Sequence, residues 1–148
     1  MPRDTGYPQT AAECLSDSIK YRRGVIAAVK AFKRSGPWKG GLENRKKKFR
    51  RLNGRLAKVY GIPAPELRFE RIDGSFSGAS SCSRRGREQP AVIIMRGKLS
   101  VVTFLHEFAH ALGKGERGAC RWSINLFRRA FPRQFARLRT DGHVLRRG

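Results

Sequence analysis

The stretch that most restricts the fold is KLSVVTFLHEFAHALGKGE, residues 98–116. A helix is expected from Ser100 to Leu112, with Ser100 as its N-cap and Gly113 as the residue just past its end. Val101, Val102, Phe104, Leu105, Phe108, Ala109 and Leu112 make this helix apolar around most of its circumference, so it belongs in a core. Its polar side chains, Thr103, His106, Glu107 and His110, fall within an arc of roughly 100°. A buried helix with one polar stripe must give that stripe partners, because buried polar groups without them are costly.

A metal ion is such a partner. His106-Glu107-Phe108-Ala109-His110 has the HExxH form, in which two histidines four apart on a helix point the same way and hold one zinc ion. The glutamate beside the first histidine is then the general base, here Glu107. Catalytic zinc usually takes three protein groups and leaves one position open, and Glu116 is the best third candidate. It lies six residues past His110, beyond Gly113-Lys114-Gly115, where the HExxHxxGxxH form has its last ligand. Glycines that can adopt positive φ would let the chain reverse and bring Glu116 back. The plainer alternative has two core histidines hydrogen-bonded in place, with Glu116 merely favoured by the dipole of the next helix.

At 148 residues the chain can form a single domain with a real core. Its 33 Lys and Arg against 11 Asp and Glu leave a net charge of +22, which attracts nucleic acid, anionic membrane or acidic protein. Two of those few acids fall in the metal motif. Three cysteines, Cys14, Cys82 and Cys120, form no regular framework, so reduced thiols and a reducing compartment are expected. No apolar run has the length of a membrane span, and the polar start does not read as a signal peptide. The expectation is a cytoplasmic or otherwise intracellular protein, associated with nucleoid or particle.

Along the chain, residues 1–9 read as a flexible tail and residues 10–60 as N-terminal helices. The first helix opens at a capping box, Thr10 to Glu13, carries Leu15, Ile19, Val25, Ile26, Val29 and Phe32, and stops at Ser35-Gly36-Pro37. The second runs from Leu42 to Tyr60 and is closed by Gly61 and Pro63. Its outer faces carry the densest positive patch, for which Arg45, Lys46, Lys47, Lys48, Arg50, Arg51 and Arg55 are the candidate nucleic-acid contacts. A solvated helix face is the alternative. Residues 61–131 are read as the catalytic core and 132–148 as a basic C-terminal segment.

Within that core, Leu67 to Glu70 alternates as a strand, and Ile72 marks its end or a bulge. Residues 73–89 read as a loop or irregular hairpin holding Cys82. Ala91 to Met95 is a β-branched run and the strongest strand. After Glu116 a helix should run to Ala130 with Ala119, Cys120, Ser123 and Phe127 on the Glu116 face; Cys120 reads as small core filler. The fold class expected is α+β: a short antiparallel or mixed sheet, an HExxH helix, and a following helix carrying the third ligand.

Strand, HExxH helix, tight turn and a glutamate opening another helix together resemble a minimal zincin-type metallopeptidase. Glu116-Arg117-Gly118-Ala119 matches the E-x-x-A helix that follows HExxH in ImmA/IrrE-like peptidases, and His106, Glu107 and His110 match the first part. SprT/Spartan-like peptidases are the other similar group, though they usually complete the site with histidine. The resemblance covers about residues 56–130. It implies a regulatory intracellular protease in the first case and a protease of DNA-bound proteins in the second. It also implies that the strand before the HExxH helix, residues 91–95, offers an edge to which an extended substrate adds as a strand.

The expected function is peptide hydrolysis with Zn2+ as cofactor, a protein or peptide as substrate, and DNA or RNA as a further partner through the basic surface. The rival is a basic nucleic-acid-binding or packaging protein whose zinc is structural and closed by a fourth ligand, Cys120 or Cys82.

Overall fold

The longest helix stops where a left-handed residue ends it. Helix α3 spans Leu42–Tyr60, and Gly61 follows with φ 63°, ψ 34°, the conformation glycine adopts most cheaply at a helix end. The computed structural model describes residues 11–74, 80–84, 89–141 and 144–147. Among these, α1 is Ala11–Cys14, α2 Val25–Arg34, β1 Glu66–Glu70, β2 Ser81–Ser83 and β3 Val92–Arg96. Then follow α4 Val101–Ala111, α5 Glu116–Ala130, α6 Pro132–Ala136, β4 Leu138–Asp141 and β5 Val144–Arg147. The class is α+β, and the chain divides into two compact units, Lys20–Leu99 and Met1–Ile19 with Ser100–Gly148.

The unit of residues 20–99 packs α2 on α3 and sets a three-stranded sheet against them. Val25, Val29 and Phe32 of α2 and Phe49, Leu52 and Leu56 of α3 are buried, with the Phe32 and Phe49 rings edge to face at 5.0 Å. Asn53, buried on α3, donates from Nδ2 to the Pro65 carbonyl at 2.8 Å and fixes where β1 begins. The sheet order is β1-β3-β2: β1 runs parallel to β3, and β2 antiparallel to it. The sheet is therefore mixed.

The other unit surrounds α4. Val101, Phe104, Leu105, Phe108 and Ala109 are buried, and α5 packs along α4 with Phe108 and Trp122 stacked at 6.2 Å. Phe127 of α5 continues the aromatic row to Phe131 at 5.1 Å and Phe135 at 6.5 Å. Segment 11–19 is tied to α5 by Asn125, which is fully buried. Asn125 Nδ2 donates to the carbonyls of Cys14 (2.7 Å) and Arg121 (2.8 Å), and its Oδ1 accepts the Ser16 N–H (2.8 Å).

Three expectations change. The helix expected from residue 10 to Arg34 is two pieces, α1 and α2, which belong to different units; Thr10 lies outside the described residues. Backbone groups near Ser16 bond to Asn125 and Arg128 instead of continuing the helix, and Gly24, at φ 97°, sets a new start for α2. Strand β3 is central rather than an edge, because Ser81–Ser83 with Cys82 pairs antiparallel along it, the irregular-hairpin alternative for residues 73–89. The C-terminal end is more than a basic amphipathic stretch: α6 is followed by a β4–β5 hairpin.

Asn125→Ala leaves the Ser16 N–H and Cys14 carbonyl without their partner. It should lower stability by about 2–4 kcal/mol in urea unfolding, whereas the exposed Arg121→Ala should change it by less than about 0.5 kcal/mol.

Candidate metal centre

Ser100 caps α4 as expected: its hydroxyl accepts from the Thr103 N–H at 3.3 Å. From that fixed start, His106 and His110 fall one turn apart, with ring centroids 4.8 Å apart and planes at 80°. The helix ends at Leu112, and Gly113 turns the chain with φ 97°. Gly115 does not share that conformation: at φ −73° it is extended and serves as the N-cap of α5. Glu116 is the first residue of α5, and the turn brings its carboxylate back to the two rings.

Three atoms converge. His110 Nε2 lies 3.2 Å from His106 Nε2 and 2.6 Å from Glu116 Oε1, and His106 Nε2 lies 3.4 Å from the same carboxylate. The rings are about one fifth exposed and the Glu116 side chain one third, so the site is reachable from solvent. His110 Nδ1 donates to the Lys114 carbonyl at 2.8 Å. With its proton fixed there, Nε2 of the neutral ring presents a lone pair toward a carboxylate and a second imidazole. One proton shared between His110 and Glu116 satisfies only one of these contacts. A cation satisfies all three.

The donor set and spacing fit zinc. Zinc–nitrogen bonds of about 2.0–2.1 Å give tetrahedral edges of about 3.3–3.4 Å. The His106–His110 and His106–Glu116 separations, 3.2 and 3.4 Å, are already of that size, and the 2.6 Å His110–Glu116 contact is a hydrogen-bond length. Two imidazoles and a carboxylate are also a recurrent catalytic zinc set, whereas calcium and magnesium favour oxygen. Among the described residues these three are the group of histidine, cysteine and acidic side chains able to hold an ion.

Burial tunes the neighbours. It pushes the His106 ring below the usual histidine range, partly offset by the Glu116 charge, and so favours the neutral form that ligates metal. Glu107 is 8% exposed, and burial raises its carboxyl to about 7, against a lowering pull from His110. Cys120 takes no part: it is buried beside Ile124 and hydrogen-bonded to Cys14, as core filler should be. Cys82 is in β2, and His143 lies outside the described residues.

The seven basic residues proposed from sequence on α3 separate into groups. Lys48 Nζ and Arg45 Nε donate to the carbonyls of Gly36 and Pro37, at 2.7 and 3.3 Å, and brace the turn before α3. Lys46 and Arg50 stack over the Phe69 ring at 5.6 and 4.9 Å. Lys47, Arg51 and Arg55 point to solvent, as does Lys58 of the same basic patch. The Lys114 carbonyl was missed; a backbone group leaves no mark in a motif.

Neither a family model, a curated protein nor a solved structure matches this chain. No helix among the described residues is long and apolar enough to cross a membrane.

Gly113→Ala puts a side chain at φ 97° and should destabilise by about 1 kcal/mol or more while weakening metal affinity. Gly115→Ser, at an extended N-cap, should leave both intact or slightly improved, so calorimetric zinc titration of the two variants separates the roles.

Glu107→Gln probes the buried carboxyl in chelator-treated protein. The folded pKa of about 7 stands above the unfolded 4.5, so the folded chain keeps a proton the unfolded chain gives up between those values. The carboxyl thus costs nothing below pH 4.5 and weakens the fold progressively up to pH 7. The glutamine variant should match wild type near pH 4 and be more stable at pH 8, by at most about 3 kcal/mol in urea titrations.

Proposed function

We propose that the protein is a zinc-dependent metallopeptidase, with His106, His110 and Glu116 as metal ligands and Glu107 as general base. The observation that carries this is the convergence of three electron-pair donors within 2.6–3.4 Å beside a buried carboxyl. When bound, zinc supplies Lewis acidity, making a water nucleophilic near neutral pH and polarising a carbonyl.

The remaining work falls to the chain's own groups. The Lys114 carbonyl fixes the tautomer and orientation of His110, and burial keeps His106 neutral. Glu107, with its pKa near 7, is matched to taking a proton from water and returning it to a leaving amine at neutral pH. A Glu beside the first histidine has no structural need to be buried, and its burial is unfavourable to the fold above pH 4.5. That cost supports a chemical role for it. The order of the HEFAH helix, the turn, and Glu116-Arg117-Gly118-Ala119 opening α5 supports the zincin-type resemblance.

The rival, a structural zinc in a basic packaging protein, needs a fourth protein ligand. Cys120, one candidate, is engaged with Cys14, and three donors with an open side favour catalysis. Proteins associated with nucleic acid are the substrates that a net charge of +22 favours.

Protein purified without added zinc should carry one zinc per chain. Glu116→Ala should weaken zinc by more than the roughly 10- to 100-fold that loss of an outer hydrogen bond costs. Glu107→Gln should keep its zinc and lose cleavage of an unstructured protein substrate by a factor on the order of 10²–10⁴. Undiminished cleavage in Glu107→Gln, or a wild type that takes up no zinc on titration, overturns the proposal.

A further inference from the structure

The positive charge is concentrated. Residues 20–99 hold 22 of the 33 Lys and Arg and 5 of the 11 Asp and Glu. On α3, Lys47, Arg51, Arg55 and Lys58 are exposed and form no salt bridge among the described residues. At roughly 100° per residue they share an arc of about 80°, and from first to last they span about 16 Å. The acid on this helix, Glu43, is in its first turn and paired to Lys46 at 3.2 Å.

Gly54 lies at the margin of the same face. It is exposed within a 19-residue helix, its φ is not left-handed, and a Cβ built on it meets nothing within 4 Å. Neither backbone conformation nor internal packing accounts for a glycine there, where it weakens the helix relative to alanine. What a missing side chain does permit is close approach of an external group to the backbone between Arg51 and Lys58.

We infer that this face of α3 docks the phosphate backbone of double-stranded nucleic acid without reading its sequence. A duplex carries one negative charge per about 1.7 Å, so the 16 Å stripe faces about ten of them, twice what a single strand offers. Single-strand binding relies on aromatic platforms, but Phe69 is covered by Lys46 and Arg50 and Tyr60 by Arg22 at 4.8 Å, and the exposed ring of Trp38 lies before the helix, off the stripe. A membrane surface would need apolar anchors beside the charge. Among the described residues the exposed large apolar side chains are Trp38 and Leu42; both precede the stripe, and Leu42 lies on the opposite side of the helix. The inference is independent of the metal centre, since no residue is shared.

The test is fluorescence anisotropy of the full chain with a 20-base-pair duplex of arbitrary sequence, across a salt series. Lys47, Arg51, Arg55 and Lys58 all changed to Gln should lower the slope of log affinity against log salt by about 3–4. Changing the exposed Lys20, Arg23, Lys30 and Arg34 to Gln removes the same charge off the stripe and should lower it by less than about 1. Gly54→Leu should weaken duplex binding at least about tenfold while raising the melting temperature, a combination that unfolding cannot produce. Equal losses in both quadruple variants, wild-type binding by the stripe variant, or stripe-dependent binding only to phosphatidylserine vesicles each overturns it.

Discussion

A helix that is buried and still carries two histidines and a glutamate on one stripe has few ways to exist. Apolar side chains over most of α4 commit it to a core, and the same periodicity delivers Thr103, His106, Glu107 and His110 to one side. The stripe cannot be hydrated fully or left without partners. Glu116, returned by the Gly113 turn, and the Lys114 carbonyl are the protein's own answer. They satisfy His110 at one nitrogen and oversupply acceptors at the other. The three donors form a group that could hold a metal ion at its centre.

Precision at that point is held by ordinary packing. The Phe108–Trp122 stack keys α4 to α5 at the level of the site, and the row continues through Phe127 and Phe131 to α6. Asn125 then ties segment 11–19 to the same helix through two hydrogen bonds, to the Cys14 carbonyl and the Ser16 N–H. Glu116 therefore sits on a helix braced at both flanks, not on a loop. A ligand placed this way loses little freedom when it binds an ion.

Much of this was legible from residue spacing. The bounds of α3, the Ser100 cap, the length of α5 and the meeting of His106, His110 and Glu116 all follow from periodicity and punctuation, which are local signals. The failures were non-local. Leu15, Ile19 and Val25 kept helical spacing, but Ser16 and Cys14 bond to Asn125, more than a hundred residues away. Residues 91–95 are not the open edge expected of them, because Ser81–Ser83, of weak strand propensity, pairs along Val92–Ile94. The basic run on α3 looked uniform by composition. Only its neighbours separate Lys48, which braces a turn, from Arg51, which is exposed and in no salt bridge among the described residues.

That separation has an energetic side. Lys47 and Arg51, Arg51 and Arg55, and Arg55 and Lys58 are like-charged neighbours three or four apart, each pair unfavourable by about 0.2–0.5 kcal/mol. The exposed Gly54 adds about 1 kcal/mol against alanine. Together the open face of α3 carries a deficit of about 2 kcal/mol that its buried face, Phe49, Leu52 and Leu56, must offset. A single alanine in place of Gly54 would remove about half of that deficit. A helix whose outer face is this unfavourable in isolation is better matched to a polyanion than to water, because phosphates remove the repulsion and use the gap at Gly54.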